Sequence, residues 1–262
     1  AGQFVRIGVV VDGVRHTRCY SPTNSEHGRD RRIDLTIRTH PHGLVSQYLH
    51  DYAEPGMVVD LEPADGVFHL PRPRPEKVLL ISGGSGITPV LSMLRTLADE
   101  KHTAPVVFLH YARSPEMVPH RRELEQIAAA HPNISVELRY SRHDGRRFDR
   151  DELIRVAPWF AEGQTYLCGP PRLMDSVRAV FEAERLADRL HTEEFTFSAA
   201  PVDAAEVHGE TTFSASGVTA DNTGTSLLEQ AEQAGLTPEF GCRMGICFSC
   251  TAVRRAGCTR NL

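Results

Sequence analysis

Three cysteines near the carboxyl end of the chain carry the strongest chemical signal in the sequence. Cys242, Cys247 and Cys250 form a C-x4-C-x2-C pattern. Thiolates at this spacing ligate the irons of a 2Fe–2S cluster. A structural zinc site is the alternative, because Cys258 would complete a set of four sulfur ligands. In a chain without a disulfide framework, such crowding of cysteines indicates metal or redox chemistry.

A second group of residues, Arg18, Tyr20 and Ser21, forms an R-x-Y-S pattern at the end of a strand-like run. An arginine pairs with phosphate, and a tyrosine ring lies flat against a heteroaromatic ring system. A serine hydroxyl can hydrogen-bond the N5 region of an isoalloxazine. The pattern therefore suits a flavin, although by itself it is equally typical of a barrel strand with one exposed arginine.

A short helical segment one strand later carries a second set of candidate flavin ligands. Gly43, Val45 and Ser46 belong to a G-x-x-S pattern at its start, and Arg38 lies on the preceding strand-like run. Backbone N–H groups at a helix N-terminus bind anions, so we expect this segment to hold a flavin pyrophosphate.

A glycine-rich loop follows the first buried strand of the middle of the chain. The run 83–89 reads GGSGITP, and a helical pattern begins within it. Glycine allows the backbone to approach a dinucleotide closely, and the helix dipole favours its phosphates. The run is not G-x-G-x-x-G, which excludes an ordinary Rossmann dehydrogenase. The candidate ligands are Gly84, Gly86, Thr88 and Pro89.

The pattern of elements divides the chain into three parts. Residues 1–72 contain short β-favouring runs, typical of a small antiparallel β-barrel, and end at the proline-rich linker 71–75. Residues 76–195 alternate strands and helices, which predicts an α/β domain with a parallel sheet. Residues 209–262 combine a strand, a capped helix beginning at Ser226 and the cysteine loop.

Composition restricts the class of protein. Of 262 residues, 40% are hydrophobic and 24% are charged, and the net charge is −5. This balance gives no support to nucleic-acid binding, which favours a basic face. No apolar run reaches the roughly 20 residues of a membrane span. The first residues lack the positive start of a signal peptide, so we expect a cytoplasmic protein.

These four motifs, together with a Cys-Gly-Pro turn at 168–170 after another strand-like run, occur in the order of one known architecture. The chain resembles flavin reductases of the ferredoxin-NADP reductase superfamily with a C-terminal plant-type 2Fe–2S ferredoxin domain. Among these it is most similar to actinobacterial-type reductases that serve acyl-lipid desaturases or oxygenases. The resemblance implies a β-grasp fold for residues 209–262, with Cys242, Cys247 and Cys250 as cluster ligands.

The resemblance also implies cofactors, partner and mechanism. Hydride would pass from NADPH or NADH to FAD, and single electrons would pass through the cluster to a desaturase or oxygenase, which can be membrane-bound. The Ser-Arg pair at 141–142 suits a 2′-phosphate and favours NADPH.

The family places further residues at the cofactors. It implies that the turn Cys168-Gly169-Pro170 lines the nicotinamide pocket, that Glu194 serves a proton relay and that Phe195 shields the flavin. The adenosine ribose would contact Arg113, Ser141 and Arg142. The catalytic candidates are Tyr20, Ser21, Cys168 and Glu194.

Two departures from the family pattern lead to expectations about the ends of the chain. The family's fourth cluster cysteine lies well downstream of the third, whereas this sequence ends 12 residues after Cys250. We therefore expect the fourth ligand to lie beyond Leu262. The family barrel also has strands before the segment that begins at Ala1, so we expect both ends to be cut back.

Two other functions remain open. One is a phthalate-dioxygenase-type reductase that uses FMN and NADH with the same domain order. The other belongs to a different class, a zinc-stabilised, non-catalytic binding protein on a reductase scaffold. Flavin content and metal content discriminate among the three.

Overall fold

The computed structural model describes residues 1–28, 32–40, 43–142, 145, 147–195, 207–238 and 250–259. Within these ranges, every helix is too short or too polar to cross a lipid bilayer.

The amino-terminal part is an antiparallel sheet of three strands in the order β2-β1-β3, with one helix packed against it. The turn between β1 and β2 is tight because Asp12 and Gly13 both adopt positive φ, of 51° and 79°. Alternate residues of β1 point inward and form a small core with Val45. The elements are β1 (Val5–Val11), β2 (Val14–Tyr20), α1 (Leu44–Tyr52) and β3 (Asp60–Leu61).

The strand expected for the run that carries Arg38, residues 33–39, is not present in the structure. The structure has only an isolated bridge there, between Pro22 and Leu35. Beyond this bridge, the Thr36 hydroxyl pairs with the His120 imidazole of the next domain, at 2.7 Å. Tertiary contacts, and not a β-ladder, therefore hold this segment. The barrel itself remains a prediction beyond the three described strands.

The middle of the chain is a five-stranded parallel sheet in the order β6-β5-β4-β7-β8. This confirms the α/β prediction. The strands are β4 (Val78–Gly83), β5 (Val106–Ala112), β6 (Ile134–Tyr140), β7 (Gln164–Cys168) and β8 (Leu190–Glu193), and the helices are α2 (Ile87–Asp99), α3 (Arg121–Ala130), α4 (Arg150–Val156) and α5 (Pro171–Ala183).

Helices cover both faces of this sheet, which explains why its central strands are continuously apolar. Leu80 and Phe108 point to the face that α2 and α3 cover. Leu79 and Leu109 point to the opposite face, covered by α4 and α5. The result is a three-layer domain whose sheet edges and loops are free to carry function.

Residues 207–238 form a hairpin and a helix. The hairpin pairs β9 (Glu210–Phe213) with β10 (Val218–Asp221). The helix α6 (Leu227–Gln233) begins with the predicted capping box, in which Ser226 and Glu229 bond each other's backbone N–H groups.

Candidate active site

The crevice between β4 and β7 is the natural ligand site of the parallel sheet. The two strands are neighbours, with Ser82 opposite Cys168. The chain leaves β4 toward β5 on one side and leaves β7 toward β8 on the other. Ligands of such sheets bind where the strand order reverses in this way, outside the carboxyl ends of the strands. Both predicted nicotinamide motifs follow these two strands.

The two motifs pack against each other with no room for a side chain between them. A Cβ atom on Gly86 would lie 2.2 Å from the carbonyl oxygen of Cys168 and 2.7 Å from the backbone nitrogen of Gly169. A Cβ on Gly83 would lie 2.8 Å from the Pro170 ring. The crevice is therefore walled by backbone at the N-terminus of α2, where N–H groups are available to an anion.

Thr88 and Pro89 contribute to this loop from inside the fold. Both lie in the first turn of α2 and are buried. The Thr88 hydroxyl donates to the carbonyl oxygen of Ser85 at 3.2 Å, across the turn. Both residues therefore shape the loop, and their contact with a cofactor stays a prediction.

The R-x-Y-S residues lie at the end of β2 and in the residue that follows it. Tyr20 is half-buried against the amino-terminal core, and burial raises the pKa of its phenol. Ser21 is only 5% exposed, so little of its side chain is accessible to a ligand. The Arg18 guanidinium donates to the carbonyl oxygen of Thr17 at 2.8 Å.

Arg38 brings the amino-terminal domain to the glycine loop. A Cβ atom on Gly84 would lie 3.7 Å from Arg38 Nη1, so the guanidinium is adjacent to the loop. Arg38 is exposed and has no ion-pair partner among the described residues. It offers a free cation at the place where the two domains meet.

The G-x-x-S segment forms the N-terminus of α1. No side chain among the described residues caps this helix, so its first N–H groups are available to an anion. The Ser46 hydroxyl donates to the carbonyl oxygen of Gly43 at 3.0 Å and accepts from the His40 N–H at 3.2 Å. Val45 is buried in the core, so only its backbone is available to a ligand.

Two buried acidic groups, Cys168 and Glu193, end the neighbouring strands β7 and β8. Cys168 is fully buried, and burial raises its thiol pKa well above the ordinary value. Glu193 lies opposite Cys168 on β8. Burial raises the pKa of Glu193 to about 8, and its Oε2 is buried without a hydrogen-bond partner among the described residues. Glu193 is thus able to hold a proton at neutral pH.

Glu194, which the sequence pointed to, is placed differently from Glu193. It forms an ion pair with Arg178 of α5. Phe195 follows it and is 38% exposed. The sequence interpretation missed Glu193 because the short strand β8 was not predicted, and only its register shows which glutamate faces Cys168.

The predicted ribose-binding residues lie together beyond the ends of β5 and β6. The Arg142 N–H donates to the carbonyl oxygen of Arg113 at 3.2 Å, and the Ser141 N–H donates to that of Ala112 at 2.9 Å. All three predicted residues, Arg113 included, lie at the same edge of the sheet as the glycine loop. Neither arginine has an ion-pair partner in the part of the chain that the structure describes.

The structure describes only part of the cysteine cluster. Cys242 and Cys247 lie outside the described residues, whereas Cys250 is half-buried. Among the described ranges, one group of metal-ligating side chains is closely spaced, namely Glu26, His27 and Glu100. Arg74 pairs with both of these glutamates, and Arg72 and the amino terminus also pair with Glu26, so protein cations already balance both carboxylates.

The geometry fits both cofactors. A backbone-walled crevice at a helix N-terminus suits the pyrophosphate of a nicotinamide dinucleotide. An uncapped α1, the free Arg38 and the half-buried Tyr20 suit a flavin nucleotide.

Comparison with known proteins identifies two domains. A family described as "Oxidoreductase FAD-binding domain" matches residues 1–70, and one described as "Oxidoreductase NAD-binding domain" matches residues 80–179.

Relatives with known names span most of the chain. It is 39% identical over 265 residues to the NADPH oxidoreductase of Mycobacterium tuberculosis, covering 100% of this chain and 69% of that protein. It is 31% identical to the glycine betaine monooxygenase reductase subunit of Pseudomonas aeruginosa, covering 98% and 77%. The solved structure of phthalate dioxygenase reductase superposes with a TM-score of 0.66 at 26% identity, covering 94% and 74%.

The crevice, the flavin motif and these relatives agree in one assignment. The chain belongs to the ferredoxin-NADP reductase superfamily and is an NAD(P)H-dependent oxidoreductase with an FAD-binding and an NAD-binding domain.

Proposed function

We propose that this reductase takes electrons from NADPH onto FAD and passes them singly, through a 2Fe–2S cluster, to an oxygenase. The proposed domains are 1–72 for the flavin, 76–195 for the nucleotide and 209–262 for the cluster. The observation that carries the proposal is the position of Arg38 beside Gly84. It joins the flavin motif and the nucleotide motif at one crevice.

The nucleotide would lie across the carboxyl edge of the parallel sheet. Backbone N–H groups of the glycine loop hold its pyrophosphate, and the Cys168-Gly169-Pro170 turn forms the opposite wall. Arg113 and Arg142 would receive the 2′-phosphate, because their backbones are joined at this edge, and this favours NADPH over NADH.

The flavin would lie between β2 and the same crevice. Arg18 and Arg38 offer guanidinium groups for its phosphates, the N-terminus of α1 supplies N–H groups, and Tyr20 offers a ring face. When bound, a flavin accepts electron pairs from nicotinamides and releases electrons one at a time. The protein contributes position and a controlled environment.

Glu193 and Cys168 are the groups best placed to hold and release protons at this edge of the sheet. Both are uncharged at neutral pH, and Glu193 holds a proton up to about pH 8. We assign Glu193 the proton-holding role that the sequence had pointed to at Glu194. Phe195 then covers the open side of the same edge.

An oxygenase is the partner best supported by the relatives. The similar protein from Pseudomonas aeruginosa is named as a monooxygenase reductase subunit, and the structural neighbour is a dioxygenase reductase that transfers electrons to a 2Fe–2S centre. Cys242, Cys247 and Cys250 would hold the cluster. A desaturase uses the same one-electron delivery and remains the second partner class.

An FMN- and NADH-dependent reductase is the second candidate function. The similarity to phthalate dioxygenase reductase over 94% of the chain supports it. The flavin released by heat and identified by chromatography decides between them, because FAD and FMN elute separately.

Anaerobic titration with NADPH, followed by visible and electron paramagnetic resonance spectra, tests the whole proposal. We expect a yellow-brown protein whose flavin and cluster absorption bleach together and whose reduced cluster gives a paramagnetic signal. Metal analysis provides the opposing outcome. Zinc without iron or acid-labile sulfide would establish the non-catalytic zinc protein instead.

A further inference from the structure

Polar side chains on one face of α2 and at its C-cap form hydrogen bonds with the segment that follows the flavin motif. The face consists of Ser92, Arg95, Thr96 and Glu100, spaced i, i+3, i+4 and i+8, and we call it the docking face. Its partner is the segment 23–27, which begins two residues after Ser21.

The contacts follow the helix turn by turn. The Ser92 hydroxyl donates to the carbonyl oxygen of Asn24 at 2.7 Å, and the Glu26 N–H donates to Thr96 Oγ1 at 3.1 Å. Glu100 Oε1 meets the His27 imidazole at 2.8 Å. Ser92 and Thr96 are buried, so this register satisfies hydroxyls that would be costly to leave unpaired.

Arg95 lies at the centre of the docking face. Its Nη1 donates to the carbonyl oxygen of Thr23 at 2.6 Å. Glu123 of α3 orients the guanidinium through two hydrogen bonds, at 2.7 and 2.6 Å. Such a bidentate pair fixes direction as well as charge.

The same cluster also holds the segment that carries Arg38. The His120 imidazole lies 3.4 Å from the Glu123 carboxylate and 2.7 Å from the Thr36 hydroxyl. Thr36 is two residues before Arg38. His120 adopts a left-handed backbone, with φ of 57°, a conformation that costs energy for a residue with a side chain.

We infer that Arg95 is a positioning residue that sets the alignment of the flavin with the nicotinamide. Helix α2 begins at the glycine loop, and its docking face holds the segment 23–27. Arg95 also bonds Glu123, whose neighbour His120 holds Thr36, two residues before Arg38. Helix α2 therefore fixes the distance between the two cofactor sites. The inference rests on the proposed placement of both cofactors and adds the residue that holds the two sites in alignment.

Alignment of this kind controls rate more than affinity. Hydride transfer needs reacting atoms held in near-attack geometry, and a displacement of about 1 Å costs on the order of 100-fold in rate. Arg95 is not among the residues proposed to contact either cofactor, and its hydrogen bonds go to Thr23, Glu123 and His120. Loss of Arg95 should consequently slow flavin reduction while leaving the affinity for NADPH nearly unchanged.

The test compares Arg95→Met, which keeps the length of the side chain and removes its donors, with Arg95→Lys, which keeps one charged donor. Arg121→Met is the matched control, because Arg121 forms an exposed pair with Glu125 on α3 at 2.9 Å. Three quantities are measured in each full-length protein. They are the limiting rate of anaerobic flavin reduction with the Kd for NADPH, the long-wavelength charge-transfer absorbance, and hydrogen exchange of residues 22–28 in flavin-free protein.

For Arg95→Met we expect a limiting rate about tenfold or more below that of the original protein, a weaker charge-transfer absorbance and faster exchange over residues 22–28. The Kd for NADPH should change by less than about twofold. Arg95→Lys should recover part of the rate, and Arg121→Met should match the original protein.

Faster exchange with an unchanged rate and unchanged charge-transfer absorbance would overturn the inference, because the contacts would then serve stability alone. If Arg95→Met does not retain flavin, Ser92→Ala takes its place, and an unchanged rate in that variant is equally decisive. Failure of NADPH to reduce the flavin of the original protein would instead overturn the proposed function.

Discussion

Cys168 and Glu193 face each other on the adjacent parallel strands β7 and β8, and both are held uncharged at neutral pH by burial. The two residues end their strands, so the pair lies at the carboxyl edge of the sheet, where the glycine loop also follows β4. An uncharged pair avoids negative charge at the edge proposed to bind the phosphates of a dinucleotide. Burial also lets Glu193 keep a proton at neutral pH, and the effect of that proton on the free energy of unfolding can be measured.

Glu193 should make the free energy of unfolding fall as pH rises. Below its ordinary pKa of 4.5, Glu193 is protonated in both the folded and the unfolded chain. Between pH 4.5 and about 8 the unfolded chain releases the proton and the folded chain keeps it, so stability is lost over this window. Glu193→Gln removes the ionisable group, and its melting temperature should exceed that of the original protein by more at pH 8 than at pH 5.

Thermal unfolding followed by circular dichroism at several pH values checks this expectation. Glu194→Gln is the matched control, because it removes the neighbouring carboxylate, which is paired with Arg178. The control should keep the pH trend of the original protein. The same pH dependence of the melting temperature in Glu193→Gln and in the original protein would contradict the raised pKa assigned to Glu193.

Gly86→Ala should damage the nucleotide site and leave the flavin site intact. The new methyl group would fall 2.2 Å from the carbonyl oxygen of Cys168, which is backbone and cannot rotate away. The glycine loop must then separate from the Cys168 turn. We expect the Kd for NADPH to rise by about tenfold or more, with flavin content unchanged.

Gly28→Ala is the control for this substitution, because a Cβ there would meet its nearest atom at an ordinary 3.6 Å. Binding is measured by quenching of NADPH fluorescence or by titration calorimetry. Equal affinity in Gly86→Ala and Gly28→Ala would show that the crevice is not the nucleotide site.

Arg142→Gln should reduce the preference for NADPH over NADH. A charge-assisted hydrogen bond to phosphate contributes about 1.5–3 kcal/mol, equivalent to roughly 10- to 100-fold in affinity. We expect the KM for NADPH to rise by about this factor and the KM for NADH to stay unchanged. Steady-state assays with both nucleotides check it, with Arg121→Gln as the control. A similar rise for both nucleotides would place Arg142 elsewhere than at the 2′-phosphate.

Much of the nucleotide domain was predictable because its strands are buried on both faces. Runs such as Val78–Ser82 are continuously apolar, and the structure places strand β4 there. The segment Ile33–Thr39 misled because Ile33, Leu35 and Ile37 alternate as in a strand. Its hydrogen bonds go instead to Thr23, Asn24 and His120. Local alternation does not report such distant partners.

The site was predictable as motifs but not as relationships between residues. The glycine loop and the Cys168 turn follow from local spacing, because each is a short run after a strand. The proton-holding role of Glu193 and the position of Arg38 beside Gly84 depend on strand register and domain contact. Neither strand register nor domain contact can be read from a run of neighbouring residues.

Arg139→Met should destabilise the nucleotide domain through a buried ion pair. Arg139 of the edge strand β6 donates from Nε to Glu152 Oε1 at 2.7 Å, and Glu152 is only 2% exposed. Removing the arginine leaves Glu152 with only the half-exposed Arg155, at 2.8 Å. Breaking a buried pair in this way costs about 3 kcal/mol.

Chemical denaturation measures the difference, and the exposed pair of Arg121 and Glu125 provides the reference. Arg121→Met should change the free energy of unfolding by less than about 1 kcal/mol, because water already solvates both charges. The double variant Arg139→Met with Glu152→Met should recover part of the loss, since no buried charge is then unpaired. A double variant less stable than the single one would mean that packing around Arg139, and not its charge, holds α4 against the sheet.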